Sequence, residues 1–359
     1  MPATYPPFPD DVPTHPLLVV DYELIRQGSR EEIDKLWEAA TKLGFWYLKN
    51  HGADAEANAM FDMGAETMRL PMEEKMKFEQ GDDGVSFGYK AAGANAVDET
   101  GALDTVEFIN VSKDDALAYP SSVHRTYPYT VNARMESTIK PFIAKSVEVN
   151  MTLMAVFNEK LGLPEGALAS LHKLYDPSCS ESRCIKNPPA RDVSPDRMAI
   201  GAHTDFGSLS FLHNRLGGLQ VYPPGTEQWF YIKPIPGHAI CNVGDALALF
   251  SGGILRSNLH RVVPPPGAQA PLERWSLVFF SRPSNDSELR ALTDQSAIIA
   301  DAVAASPDPA KFSTGQTARA WFIRRIKNQR IKNRTGPETW RASRGTEHSE
   351  QQAHAVSAY

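Results

Sequence analysis

From about Ser182 onward the chain breaks into short apolar runs, each closed by glycine or proline. The phrases are "RCIKNPPARD", "HTDFGSLSFLHN", "GGLQVYPPGTEQWFYIKPIPGHAICNVGD", "ALALFSGGILRSNLHRVVPPPG" and "RWSLVFFSRPS". Strands at this spacing, punctuated in this way, point to an all-β sandwich or jelly roll. The earlier part reads differently. "SREEIDKLWEAATKLG" fits a helix, with Ser29 as N-cap, Ile33, Leu36, Ala40 and Leu43 at helical spacing, and Gly44 as its end. Further helix is expected from about Ala53 to Lys77, broken at Pro71, and from about Tyr129 to Leu161. Helices followed by strands allow two domains or one β core with helices around it. "PLLVVDY" and "GFWYLKN" favour the second, because both read as strands in need of a sheet. The expected fold class is mainly β with flanking helices. Its parts are a helix and strand region over 1–125, a helical connector over 126–180, a β core over 181–290, and a helical region and tail over 291–359.

Composition narrows the function. No run of about 18 apolar residues occurs, so no spanning helix is expected. "MPATYPPFPDDVPTHP" has neither a basic start nor an apolar stretch of signal-peptide type and reads as an extended arm. Cys179, Cys184 and Cys241 lack metal-site spacing and read as free thiols of a reducing cytosol. A net charge of -6 argues against a nucleic-acid partner. A cytoplasmic globular protein is expected, without membrane partner and with its oligomeric state open. The tail, "WFIRRIKNQRIKNRTG", reads as a terminal helix with a solvated basic face and with Phe322 and Ile326 on its other side.

The chemistry begins in "MAIGAHTDFGSLSFL". Residues two apart on a strand point the same way, roughly 6–7 Å apart, so His203 and Asp205 would address one point. A buried aspartate needs a cation or strong donors. His260 in "SNLHRVV" is the best third ligand. Two histidines and one carboxylate suit non-haem Fe(II) with open positions, while zinc uses the same ligand types. The plainer alternative is a polar pair at a strand end. Arg274 and Ser276 in "RWSLVFF" repeat the two-residue spacing on an otherwise apolar strand. A guanidinium fork and a hydroxyl converging there would receive a carboxylate; an arginine paired with an acid would look the same in sequence.

Taken in order, His203-x-Asp205, His260 and Arg274-x-Ser276 resemble the isopenicillin N synthase-like branch of the Fe(II)/2-oxoglutarate-dependent oxygenases. "GFWYLKNHG", Leu70-Pro71, "FGYKAAG", "GGLQV", "NVGD" and "SNLHRVV" carry the likeness from roughly Pro16 to Pro283. The resemblance implies a double-stranded β-helix (jelly-roll) core. It implies Fe(II) on His203, Asp205 and His260, with 2-oxoglutarate and O2 as co-substrates. Arg274 and Ser276 would take the far carboxylate of 2-oxoglutarate. Oxidative decarboxylation to succinate and CO2 would then be coupled to hydroxylation, desaturation or ring formation on a small organic substrate, in specialised metabolism by analogy with the family. Many members carry a tyrosine before the Pro-Pro ahead of the first ligand strand; Asn187 stands there and could still donate to the co-substrate.

Three alternatives stay open at this point. An iron oxidase of the isopenicillin N synthase type would dispense with 2-oxoglutarate. A non-catalytic binding module could keep the β core. A zinc hydrolase would leave Arg274-x-Ser276 without a purpose. Candidate substrate-facing residues are Phe280, Leu209, Phe211, Phe87, Tyr89 and Phe322, the last on a helix placed to cover the barrel mouth.

Overall fold

The computed structural model describes residues 5–190 and 197–346; the first residues of the expected arm and the end of the expected tail fall outside this range. In chain order the strands are β1 (Val19–Asp21), β2 (Phe45–Lys49), β3 (Gly88–Lys90), β4 (Glu107–Ser112), β5 (Glu181–Asn187) and β6 (Ile200–His203). They continue with β7 (Leu209–Asn214), β8 (Leu219–Val221), β9 (Phe230–Tyr231), β10 (His238–Val243), β11 (His260–Val262) and β12 (Arg274–Ser281). Eight of them form a large sheet in the order β1-β2-β10-β7-β12-β5-β4-β3, and β6-β11-β8-β9 form a small one. The two sheets pack face to face as a jelly roll. One apolar cluster joins Phe45, Tyr47 and Ile240 of the large sheet to Leu219 and Val221 of the small. A second joins Phe108, Ile185 and Val278 to Val262.

The large sheet is covered on both faces, which explains its nearly continuous apolar strands. On β12 the period of two sends Arg274, Ser276, Val278 and Phe280 toward the cavity between the sheets. Leu277 and Phe279 go the other way, into a core they share with Phe142, Leu153 and Phe157 of the 21-residue helix Lys140–Lys160.

The helix Arg30–Lys42 buries Ile33, Leu36, Ala39 and Ala40 against the same core. Ser29 occupies its N-cap position, yet its side chain makes no capping bond; only its carbonyl is used, by Ile33 N–H at 3.0 Å. Gly44 ends it at φ +80°, and a Cβ there would lie 2.0 Å from the Arg256 carbonyl oxygen. Only glycine turns this corner into β2.

The tail corrects one expectation. The helix Ala318–Gln329 keeps Arg319 and Lys327 exposed, but the basic run is not solvated throughout. Arg325 is fully buried on Asp245, and Arg330, 3% exposed at its side chain, pairs with Glu79 and Asp82. Sequence spacing reports which residues share a face, but not that acids from distant segments cover it. No helix among the described residues is long and apolar enough to cross a membrane. All three cysteines are free and buried.

Candidate active site

Strand β6 stops at His203, so Asp205 lies just past it rather than on it. The two side chains converge nonetheless. β11 runs antiparallel beside β6 with His260 directly opposite His203, and the ring centroids are 4.3 Å apart. Asp205 Oδ1 sits 3.7 Å from His203 Nε2 and 3.8 Å from His260 Nε2. One ligand atom from each of the three residues falls within 4.8 Å of the other two.

The remaining polar atoms of this triad are already engaged. His203 Nδ1 bonds the Gly201 carbonyl at 2.8 Å and His260 Nδ1 bonds the Asn258 carbonyl at 3.1 Å, which leaves both Nε2 atoms facing the centre. Asp205 Oδ2 accepts from Ser210 Oγ at 2.6 Å and from Asn242 Nδ2 at 2.9 Å, leaving Oδ1 for the same centre. Ser210 and Asn242 are themselves register partners on β7 and β10. Burial, then the neighbouring His260, pushes His203 down to about 3, so its imidazole is neutral near pH 7. For Asp205 burial acts upward, but the two imidazoles and the two donors outweigh it and hold the carboxyl at about 2. A neutral nitrogen and an ionised oxygen with free inward lone pairs fit a divalent cation.

Arg274 stands farther along the same cavity. Its Nε donates to the Gly217 carbonyl at 2.7 Å and its Nη1 to Ser276 Oγ at 2.6 Å. Burial lowers its pKa to about 10, which keeps it charged at neutral pH. No acidic side chain among the described residues pairs with it. A buried cation open to a cavity and lacking an anion fits a carboxylate ligand.

Asn187 is the register partner of Arg274, but its Oδ1 accepts from Thr105 Oγ1 at 2.8 Å and it does not line the cavity. It stands behind the anchor rather than in the pocket.

The space between the sheets measures about 1170 Å³ including open solvent at its mouth, and Phe280 lines it. Leu209 and Phe211 do not. The irregular stretch after Asp205 resets the alternation, so Ser210 and Leu212 face the cavity while Leu209 and Phe211 enter the helical core. Tyr89 is also in that core, its hydroxyl 2.6 Å from Glu107. Phe87 and Phe322 stack on each other at 6.5 Å, outside the lining. Phe322 and Phe206, the latter a lining residue, both carry the guanidinium of Arg282 on their rings. The C-terminal segment does border the mouth, through Gln329 and Arg344.

Comparison with known proteins agrees with this geometry. Residues 175–283 match the 2OG-Fe(II) oxygenase superfamily, and residues 17–131 match the N-terminal region described as non-haem dioxygenase in morphine synthesis. A homoarginine-6-hydroxylase of Oryza sativa subsp. japonica is 30% identical over 289 residues, 76% of this chain and 82% of that one. A 2-oxoglutarate-dependent dioxygenase of Aspergillus fumigatus is 28% identical over 313 residues, 80% of each chain. The crystal structure of a full-length Neurospora crassa protein in complex with alpha-KG superposes with a TM-score of 0.70 at 22% identity, covering 89% of this chain and 97% of that one. The chain belongs to the Fe(II)/2-oxoglutarate-dependent oxygenases of the isopenicillin N synthase-like superfamily. It is a non-haem dioxygenase that uses Fe(II), 2-oxoglutarate and O2 to oxidise a small organic molecule. The oxidase, binding-module and zinc readings are thereby set aside.

Proposed function

We propose that His203, Asp205 and His260 hold the Fe(II), and that Arg274 with Ser276 receives the far carboxylate of 2-oxoglutarate. The observation that carries this is the pairing of three convergent donor atoms within 4.8 Å and a buried, acid-free guanidinium on one cavity. When bound, Fe(II) with 2-oxoglutarate and O2 supplies the oxidant for a substrate C–H bond. The chain's own residues do the rest. Gly201 and Asn258 fix the imidazole orientations, Ser210 and Asn242 fix the carboxylate, and Ser276 and Gly217 fix the guanidinium plane. Phe45, Phe108 and Phe280 keep bulk water from the cavity walls. Asn187 acts through Thr105, steadying the strand that pairs with Arg274.

The substrate is a small natural product of specialised metabolism, a reading supported by the aromatic-lined cavity. The buried free thiols support a cytoplasmic setting, and the acidic net charge speaks against a nucleic-acid partner.

The test is an anaerobic titration of 2-oxoglutarate into the Fe(II)-loaded protein, following the metal-to-ligand charge-transfer absorption. A saturable band is expected, absent in Arg274→Ala at the same concentration. Stoichiometric iron without a band in the wild type would overturn the co-substrate assignment. An Asp205→Ala variant that binds iron as the wild type does would overturn the metal assignment.

A further inference from the structure

A second guanidinium opens on the cavity away from Arg274, and nothing in the co-substrate chemistry uses it. Arg183 projects from β5 between two aromatic rings, its central carbon 4.4 Å from the centroid of Phe108 and 5.0 Å from that of Phe280. Its Nε donates to Asn110 Oδ1 at 2.9 Å and its Nη2 to Glu181 Oε1 at 2.8 Å. The Nη1 edge has no hydrogen-bond partner among the described residues. At its side chain Arg183 is 16% exposed, and the space it borders is the cavity.

Glu181 does not belong to Arg183 alone. The same Oε1 accepts from Arg282 Nη2 at 3.1 Å, and Arg282 lines the cavity from just past β12, its central carbon 5.1 Å from the Phe280 centroid. Glu181 Oε2 is taken by Ser86 and by Asn110 Nδ2. Two buried cations thus share one carboxylate, and the cluster retains one positive charge. The cavity's own acids do not offset it. Asp205 is committed to the metal centre, and Asp104 is paired with the buried Lys90. An uncompensated charge at a low-dielectric wall is costly unless a ligand completes it. Arg183 lines the same cavity as His203, Asp205 and His260, so a molecule seated on it shares that space with the metal ligands.

We infer that the substrate is a carboxylic acid whose carboxylate seats on the Nη1 edge of Arg183, with its carbon skeleton along Phe280 and Phe206 toward the metal. The inference rests on the functional reading above and adds the substrate class to it. A carboxylate is favoured over a phosphate ester because the excess is a single charge, whereas a phosphate monoester carries nearly two. The rings flanking Arg183 suit an apolar, flat or cyclic body next to the charged end.

The test uses Mn(II)-loaded protein saturated with 2-oxoglutarate, so that no turnover occurs and Arg274 is already engaged. Calorimetry then compares aromatic and alicyclic carboxylic acids, each against its own primary amide. Acids are expected to bind at least about tenfold tighter than their amides, since a charge-assisted bond is exchanged for a neutral one. Arg183→Gln should bring that ratio to near one with 2-oxoglutarate affinity unchanged, and Arg183→Lys should retain part of it. Equal or tighter binding of the amides, no binding by any acid, or a preference that survives Arg183→Gln would overturn the inference. The acid-to-amide ratio of the wild type decides the charge question even if the glutamine variant fails to fold. Failure of 2-oxoglutarate to bind would sink the co-substrate reading alone, because the dependence of the ratio on Arg183 is read separately.

Discussion

Arg325 and Asp245 form an ion pair with neither side chain exposed, Nη1 lying 2.7 Å from Oδ2. Arg325 Nη2 also donates to the Thr204 carbonyl at 3.0 Å, between His203 and Asp205. Thr346 Oγ1 donates to Asp245 Oδ1 at 2.6 Å, so the C-terminal segment closes on the same carboxylate. One buried pair therefore fixes the helix Ala318–Gln329, the segment around Thr346 and the backbone beside His203 and Asp205.

Arg325→Met removes the buried guanidinium from Asp245, whose carboxylate keeps the hydroxyl donors of Thr204, Ser257 and Thr346. A loss of about 3–5 kcal/mol in urea unfolding is expected, the usual cost of removing one member of a buried ion pair. A loss under about 1 kcal/mol would mean that water or another cation replaces the guanidinium.

Gly345→Ala attacks the same junction by volume. A Cβ there would stand 1.8 Å from Arg325 Nη1 and 1.9 Å from Asp245 Oδ2, so the segment must move. A destabilisation of about 1–3 kcal/mol is expected, as for other overpacked sites. Faster protease cleavage near residue 345 would locate the movement.

Asn242→Ala deletes one of the two donors that orient Asp205. Fe(II) affinity, measured by competition with a chelator, is expected to fall about 10–100-fold, the range seen when residues supporting a metal ligand are removed. Unchanged affinity would show that Ser210 alone suffices to aim the carboxylate.

Acid should destabilise the fold through His172 and His213. Burial pushes their pKa values down to about 4 and about 3. The unfolded chain therefore binds more protons than the native one below about pH 6.5, and stability falls as pH drops through that value toward 4. At pH 5 each histidine is expected to have removed about 2 kcal/mol relative to pH 7. Urea unfolding of the wild type and of His172→Asn at the two pH values checks this. The variant should lose less between pH 7 and pH 5.

The convergence of His203, Asp205 and His260, and the shared face of Arg274 and Ser276, were legible because their pattern is written locally. A period of two puts Arg274 and Ser276 on one face, and phrases such as "SNLHRVV" mark the third ligand. Leu209 and Phe211 were misplaced because Phe206, Gly207 and Ser208 interrupt the strand, and a break of that kind resets which residues point inward. Arg183 passed unnoticed in "SRCIKNPP" because its meaning comes from Glu181 and Arg282, and Arg282 lies about a hundred residues away. The same applies to the basic tail. Six arginines and lysines between Arg324 and Arg334 look solvated in one dimension, and only the fold brings Asp245, Glu79 and Asp82 onto three of them. "NVGD" was visible as a phrase, but the bond from Asn242 to Asp205 depends on which strands become neighbours.

The register of His260 against His203 places both imidazoles on the small sheet, while Asp205 is bonded to Ser210 and Asn242 of the large one. An ion held by the three would work as a rivet through the sandwich. The small sheet has only twelve strand residues, in four short strands, and would otherwise part from its neighbour first. Chelation would then change the protein's lifetime as well as its chemistry, with proteases entering on the β8–β9 side long before the helices on the far face loosen.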